Sequence, residues 1–149
     1  MIIISPWSQK LRNGKNNPKN YPYWKELIYL IDEPIVQIGI GDEEKLVDDC
    51  RFNLNMEELK KLVFECRTWI GVDSFFQHFC WDLGKPGIVI WGQSDPNIFG
   101  HPENINLLKD RFFLREKQFW LWEQAEYNKD AFVSPDVVLK HLKAFRINT

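Results

Sequence analysis

Between residues 69 and 91 the chain reads as an apolar run, a polar hinge, an amphipathic stretch and a second apolar run. Few folds accept that pattern. The runs at 69–72 and 87–91 are short, apolar and bounded by turn residues, as buried strands are, and the stretch between them has helical spacing. Leu83-Gly84 closes the helix, and Lys85-Pro86 leads into the next strand. Strand, helix and strand in this order predict a parallel crossover. At the seam stand Asp73 and Ser74. The first N–H groups of a helix have no internal partner, and the helix dipole adds about half a positive charge there. That seam suits a phosphate or diphosphate. A helix N-cap role is the plainer alternative for both residues.

The rest of the chain repeats the alternation. Strands are predicted at 2–5, 34–40, 51–54 and 105–108, and helices at 21–31, 42–49, 56–67, 116–127 and 135–145. Asn55, with Glu57 and Glu58 early in the stretch that follows, reads as a helix N-cap, and Ser134-Pro135 as a cap and first helical position. Phe119, Trp120 and Trp122 are expected to dock their helix on the sheet. The expected fold is α/β: residues 1–149 as a single Rossmann-like domain, a parallel sheet with helices on both faces. Ligands in such sheets bind beyond the carboxyl ends of the strands. The polar residues there are the first suspects: Ser5 to Ser8, Gly39 to Glu43, Asp73-Ser74 and Gly92 to Asp95. A long polar loop at 6–20, with Lys10, Lys15, Lys19 and four asparagines, opens at the same edge and offers cations to a phosphate.

Composition narrows the partners. A net charge of −2 argues against a nonspecific nucleic-acid binder. No apolar run approaches the roughly 18 residues of a membrane span, and Met1-Ile-Ile-Ile-Ser-Pro lacks the basic start of a signal peptide, so a cytoplasmic location is expected. Three widely spaced cysteines make no disulfide framework. His78 and Cys80 stand two apart on a predicted helix, point different ways and lack further ligands, so no metal or other cofactor is expected. Aromatic residues make up 15% of the chain, seven of them tryptophan; they read first as core and second as a surface covered by another domain or subunit. Ser74 and His78 are four apart, but no Gly-x-Ser-x-Gly elbow accompanies them, which argues against a serine hydrolase. Gly39-x-Gly41 lacks the third glycine of a dinucleotide fingerprint.

The run Gly71-Val-Asp73-Ser74, His78, Gly84-Lys-Pro86, Gly92 and Asp95-Pro96 resembles the heptosyltransferase family of GT-B glycosyltransferases. Lys19-Asn-Tyr-Pro22 resembles that family's lysine-bearing segment before a helix, and Gly41-Asp42-Glu43 and Asn53-Leu54-Asn55 are weaker matches in the same order. The resemblance implies the C-terminal, nucleotide-sugar-binding half of such an enzyme. It implies donor contacts from Asp73, Ser74 and His78, diphosphate neutralisation by Lys19, and an acid near the ribose at Asp42 or Glu43. With Ser8 and Lys10 from the strand-end reading, these form the candidate substrate-binding set. The family glycine after Asp-Ser is Phe75 here. No catalytic residue is assigned, because the half that supplies the acceptor site has no counterpart in the chain. The implied function is transfer of a sugar from a nucleotide-diphosphate sugar to an acceptor hydroxyl, completed by a homodimer or a separate acceptor-binding chain. The alternative is a non-catalytic nucleotide or nucleotide-sugar binding module acting as sensor, sequestering protein or partner subunit.

Overall fold

The computed structural model describes residues 1–147, with side chains through Phe145. Six strands, all parallel, form one sheet: β1 (Ile2–Ser5), β2 (Ile35–Gly39), β3 (Cys50–Phe52), β4 (Thr68–Val72), β5 (Ile88–Trp91) and β6 (Ile105–Leu108). Their order is β3-β2-β1-β4-β5-β6. This is the doubly wound order, and the winding reverses between β1 and β4. The helices are α1 (Trp24–Leu30), α2 (Met56–Glu65), α3 (Phe75–Asp82), α4 (Pro96–Phe99) and α5 (Pro135–Ile147).

Alternation along the buried strands sorts side chains between two cores. Ile2, Ile4, Ile70, Val72, Ile88 and Ile90 point to one face, where Trp24 and Leu27 of α1 and Val138 and Leu142 of α5 cover them. Ile3, Trp69, Val89 and Trp91 point to the other, covered by Leu62 and Val63 of α2 and Phe76 and Cys80 of α3. Helices therefore lie on both faces, as the strand–helix alternation predicts. Local signals set the ends. Asn55 and Glu58 form a reciprocal capping box on α2. Gly84, at φ 70°, ends α3: its N–H bonds Trp81 O, and Lys85 N–H reaches back to Cys80 O at 2.9 Å.

Two predicted helices do not form. Residues 42–49 form turns and irregular backbone because buried Gln37 takes them: its Nε2 donates to Glu44 O at 2.8 Å and its Oε1 accepts from Leu46 N at 2.7 Å. Residues 116–127 contain only a single 3-10 turn, at Trp122–Gln124. There the Arg115 guanidinium claims the carbonyls of Gln118, Trp120 and Leu121, which a helix would have used. Short α4, capped by Asp95 with Pro96 at its first turn, has no predicted counterpart.

Gly87 packs against the face of Trp69, and a Cβ there would overlap the indole, whose Nε1 is tied to Lys85 O at 2.9 Å. Gly87→Ala should cost about 1–3 kcal/mol by overpacking. The urea unfolding midpoint checks this; an unchanged midpoint would mean the ring moves freely.

Candidate functional site

The site grows from the winding reversal. β1 and β4 are neighbours whose chains depart to opposite faces, leaving a crevice at their carboxyl ends. One wall is the loop after β1. Its asparagines stitch it down: Asn17 Nδ2 donates to Gln9 O at 2.8 Å, Asn20 Nδ2 to Asn16 Oδ1 at 2.9 Å, and Asn20 Oδ1 accepts from Ser8 N at 2.8 Å. Lys19 N–H bonds Asn17 Oδ1 at 3.0 Å, and Tyr127 Oη bonds Asn20 O. Asn17 and Asn20 are buried. The loop is thus a fixed support that sets Lys19 in place.

The other wall is Asp73. Ser8 Oγ donates to its carbonyl at 2.6 Å. Gln77, one helical turn along α3, donates Nε2 to Oδ1 at 2.9 Å. Lys19 Nζ lies 3.1 Å from Oδ2, in ion-pair contact. The same ammonium sits 5.0 Å from the Trp122 ring centroid and 6.0 Å from that of Phe99. Arg115 stacks on Trp122, 3.5 Å from its centroid. Gln77 Oε1 and Ser94 Oγ are buried without a hydrogen-bond partner among the described residues, and buried Asp73 Oδ2 has the Lys19 ion pair but no hydrogen bond. Buried polar atoms of this kind are uncommon and retain acceptor capacity. Ser74 stands at the N-cap of α3 with its side chain making no cap bond, so the first amides of the helix are not closed by it.

Phe76 turns into the core against Trp69, with ring centroids 5.4 Å apart. Phe75 points outward beside Phe79. His78 Nδ1 lies 2.7 Å from His101 Nε2, and His101 stacks on Trp81. His78 thus engages another histidine rather than Ser74, while Cys80, two residues on, is buried in the core. Partial burial, and next the charge of His101, hold the His78 imidazole below its ordinary pKa.

Ser8, Lys19, Asp73, Ser74 and His78 therefore gather around the β1–β4 crevice and the start of α3. Of the other three candidates, Asp42 and Glu43 follow the neighbouring strand β2, and Lys10, on the loop after β1, reaches across to them. Lys10 pairs with exposed Asp42, whose carboxyl that bond holds below its usual pKa. Glu43 Oε1 accepts from Ile40 N at 2.9 Å, and burial raises its pKa. Gln77, His101, Phe99, Trp122 and Arg115 were not among the candidate site residues; Trp122 was read only as part of a helix docking on the sheet, and its neighbours Phe119 and Trp120 are in fact exposed. Gln77 lies at helical i+4 spacing from Asp73, so spacing alone could have found it. Trp122 was hidden by the expected helix at 116–127.

Comparison with known proteins agrees with this fold. Residues 50–120 match the family model described as glycosyltransferase family 9 (heptosyltransferase). Among solved structures, Escherichia coli ADP-heptose lps heptosyltransferase II is 18% identical with a TM-score of 0.71, covering 99% of this chain and 46% of that one. E. coli heptosyltransferase WaaC with ADP is 14% identical, TM-score 0.65, covering 97% and 43%. The dodecameric iron-containing heptosyltransferase TibC, in complex with ADP-D-beta-D-heptose, is 12% identical, TM-score 0.68, covering 99% and 45%. No curated protein matches. The chain spans less than half the length of the solved structures it matches. Its fold class is α/β, the Rossmann-like architecture of one half of a GT-B glycosyltransferase. More particularly, it has a heptosyltransferase fold, with that family's sequence pattern over residues 50–120. Among the described residues, no helix is long and apolar enough to cross a membrane.

The histidine pair carries a pH prediction. A folded pKa below the unfolded one means the folded state binds fewer protons between the two values. The stabilising effect is present above the ordinary imidazole range and is lost as pH falls through it. Melting temperature should fall between about pH 8 and about pH 5, and His78→Asn should narrow that fall. An equal fall in both proteins would show that the pair does not set the acid limb.

Proposed function

We propose that this chain is a donor-binding half of a heptosyltransferase-like glycosyltransferase, with the nucleotide-diphosphate sugar seated at the β1–β4 crevice. The observation that carries this reading is the meeting of Lys19 and Asp73, from loops more than fifty residues apart in sequence, at 3.1 Å beside the start of α3. A diphosphate there would meet the Lys19 ammonium and the first amides of α3. Asp73 Oδ2 and Gln77 Oε1 would accept from sugar hydroxyls, with Ser74 and His78 along the same wall. Ser8 braces Asp73. Asp42 and Glu43, past β2, with Lys10 paired to Asp42, would lie toward the nucleoside end. The solved neighbours named with ADP or ADP-heptose support this choice of ligand class.

In the transfer, the bond from the sugar's anomeric carbon to the diphosphate oxygen breaks, and a bond to the acceptor oxygen forms. The hydroxyl proton leaves to a base. Lys19 and the helix amides would stabilise charge growing on the departing diphosphate. The acceptor and the base would come from a second half, supplied by a homodimer, another chain or further polypeptide. A binding module without turnover is the alternative; it would bind the same nucleotide and never release the sugar.

Calorimetry with ADP, UDP, GDP and a nucleotide-diphosphate sugar tests the reading. One nucleotide should bind, and Lys19→Ala should weaken it by about tenfold to a hundredfold, the loss of one charge-assisted contact. Unchanged affinity in Lys19→Ala, or no binding by the wild type up to about 1 mM nucleotide, would overturn it.

A further inference from the structure

An ion pair alone does not fix a lysine. The ammonium ends a flexible four-carbon stem, and the entropy of that stem opposes any single placement. Lys19 is nonetheless held, its side chain only 21% exposed. One partner is Asp73, at 3.1 Å. A diphosphate at the crevice would compete with that carboxylate for the same ammonium. A contact that survives the exchange has to be one for which the anion does not compete. An aromatic face meets that condition: its negative π cloud attracts a cation within about 6 Å of the ring centroid, and tryptophan is the strongest such ring. The Lys19 ammonium lies 5.0 Å from the Trp122 centroid, while Phe99, at 6.0 Å, stands at the outer limit.

Trp122 is itself fixed, although its segment is irregular. The chain is tied down on both sides of it. Upstream, Arg115 N–H donates to Gln93 O at 3.1 Å, and Gln118 Nε2 donates to the same carbonyl at 2.9 Å. Downstream, Gln93 Nε2 donates to Glu126 O at 2.7 Å, and Tyr127 Oη donates to Asn20 O at 2.6 Å. Gln93 thus clasps the segment before and after Trp122, and Asn20 belongs to the loop that carries Lys19. The Arg115 guanidinium, held by the carbonyls of Gln118, Trp120 and Leu121, stacks on the indole 3.5 Å from its centroid. We propose that Trp122 is a positioning residue, whose indole keeps the Lys19 ammonium at the crevice when a diphosphate draws it from Asp73. Trp122 acts through Lys19 rather than through contact with the donor. The inference rests on the donor-binding reading of the crevice.

Calorimetric titration of the full chain with ADP, run as a double-mutant cycle between Trp122 and Lys19, tests it. Trp122→Leu should weaken ADP binding about threefold to tenfold, and Trp122→Phe, which keeps an aromatic face, by less than about twofold. In the Lys19→Ala background Trp122→Leu should cost less than about a further twofold, because no ammonium remains to be placed. A ring that merely props its segment would not show this dependence: its loss would weaken binding as much without Lys19 as with it. Unchanged ADP affinity in Trp122→Leu would overturn the inference and leave the donor site standing. So would an equal loss in both backgrounds, or a loss in Trp122→Phe as large as in Trp122→Leu. A wild type that binds neither ADP nor another nucleotide up to about 1 mM would overturn both readings together.

Discussion

Everything in this molecule is arranged around β1, which pairs in parallel with β2 on one side and β4 on the other. Four residues, Ile2 to Ser5, carry both ladders and are buried on both faces. Parallel pairing on two sides forces the chain to wind outward in both directions, first through β2 and β3, then back across to β4. The crevice at the carboxyl ends of β1 and β4 is a consequence of that winding, not of any one side chain. Lys19 reaches it because the loop from β1 to α1 leaves there, and Asp73 because β4 ends there.

The crevice is electrostatically balanced before any ligand enters. Lys19 is satisfied by Asp73 and boxed by Trp122 and Phe99. A diphosphate would share or displace Asp73, and the freed carboxylate would face hydroxyl donors on the sugar. In this account one ion pair serves as a place-holder for two recognition events, and the asparagine-stitched loop keeps its geometry through the exchange.

Most of the sheet was legible in the sequence, because buried parallel strands are short apolar runs with turn residues at both ends. All six strands lie within a residue or two of their predicted places. The helices bearing local signals were legible too: Asn55 with Glu58, Gly84 and Pro135 each act within one turn. The two failures share a cause. At 42–49 and 116–127 a buried or half-buried polar side chain, Gln37 or Arg115, takes backbone groups that helical hydrogen bonds need. Such side-chain capture leaves no periodic trace. The candidate site was legible in its Asp73 and Lys19 poles, through strand ends and family resemblance, but not in its aromatic lining or in the His78–His101 contact. Those depend on where irregular segments cross.

The central claim is that an anion is held where β1 and β4 part. Amide chemical-shift mapping with ADP tests it most directly. The account predicts that the largest shifts fall at Ser5 to Ser8, Lys19, Asn20 and Ser74 to His78, with the amides opening α3 moving most. Shifts centred on residues 109–121 or on the α2 surface, with those opening amides unmoved, would contradict it.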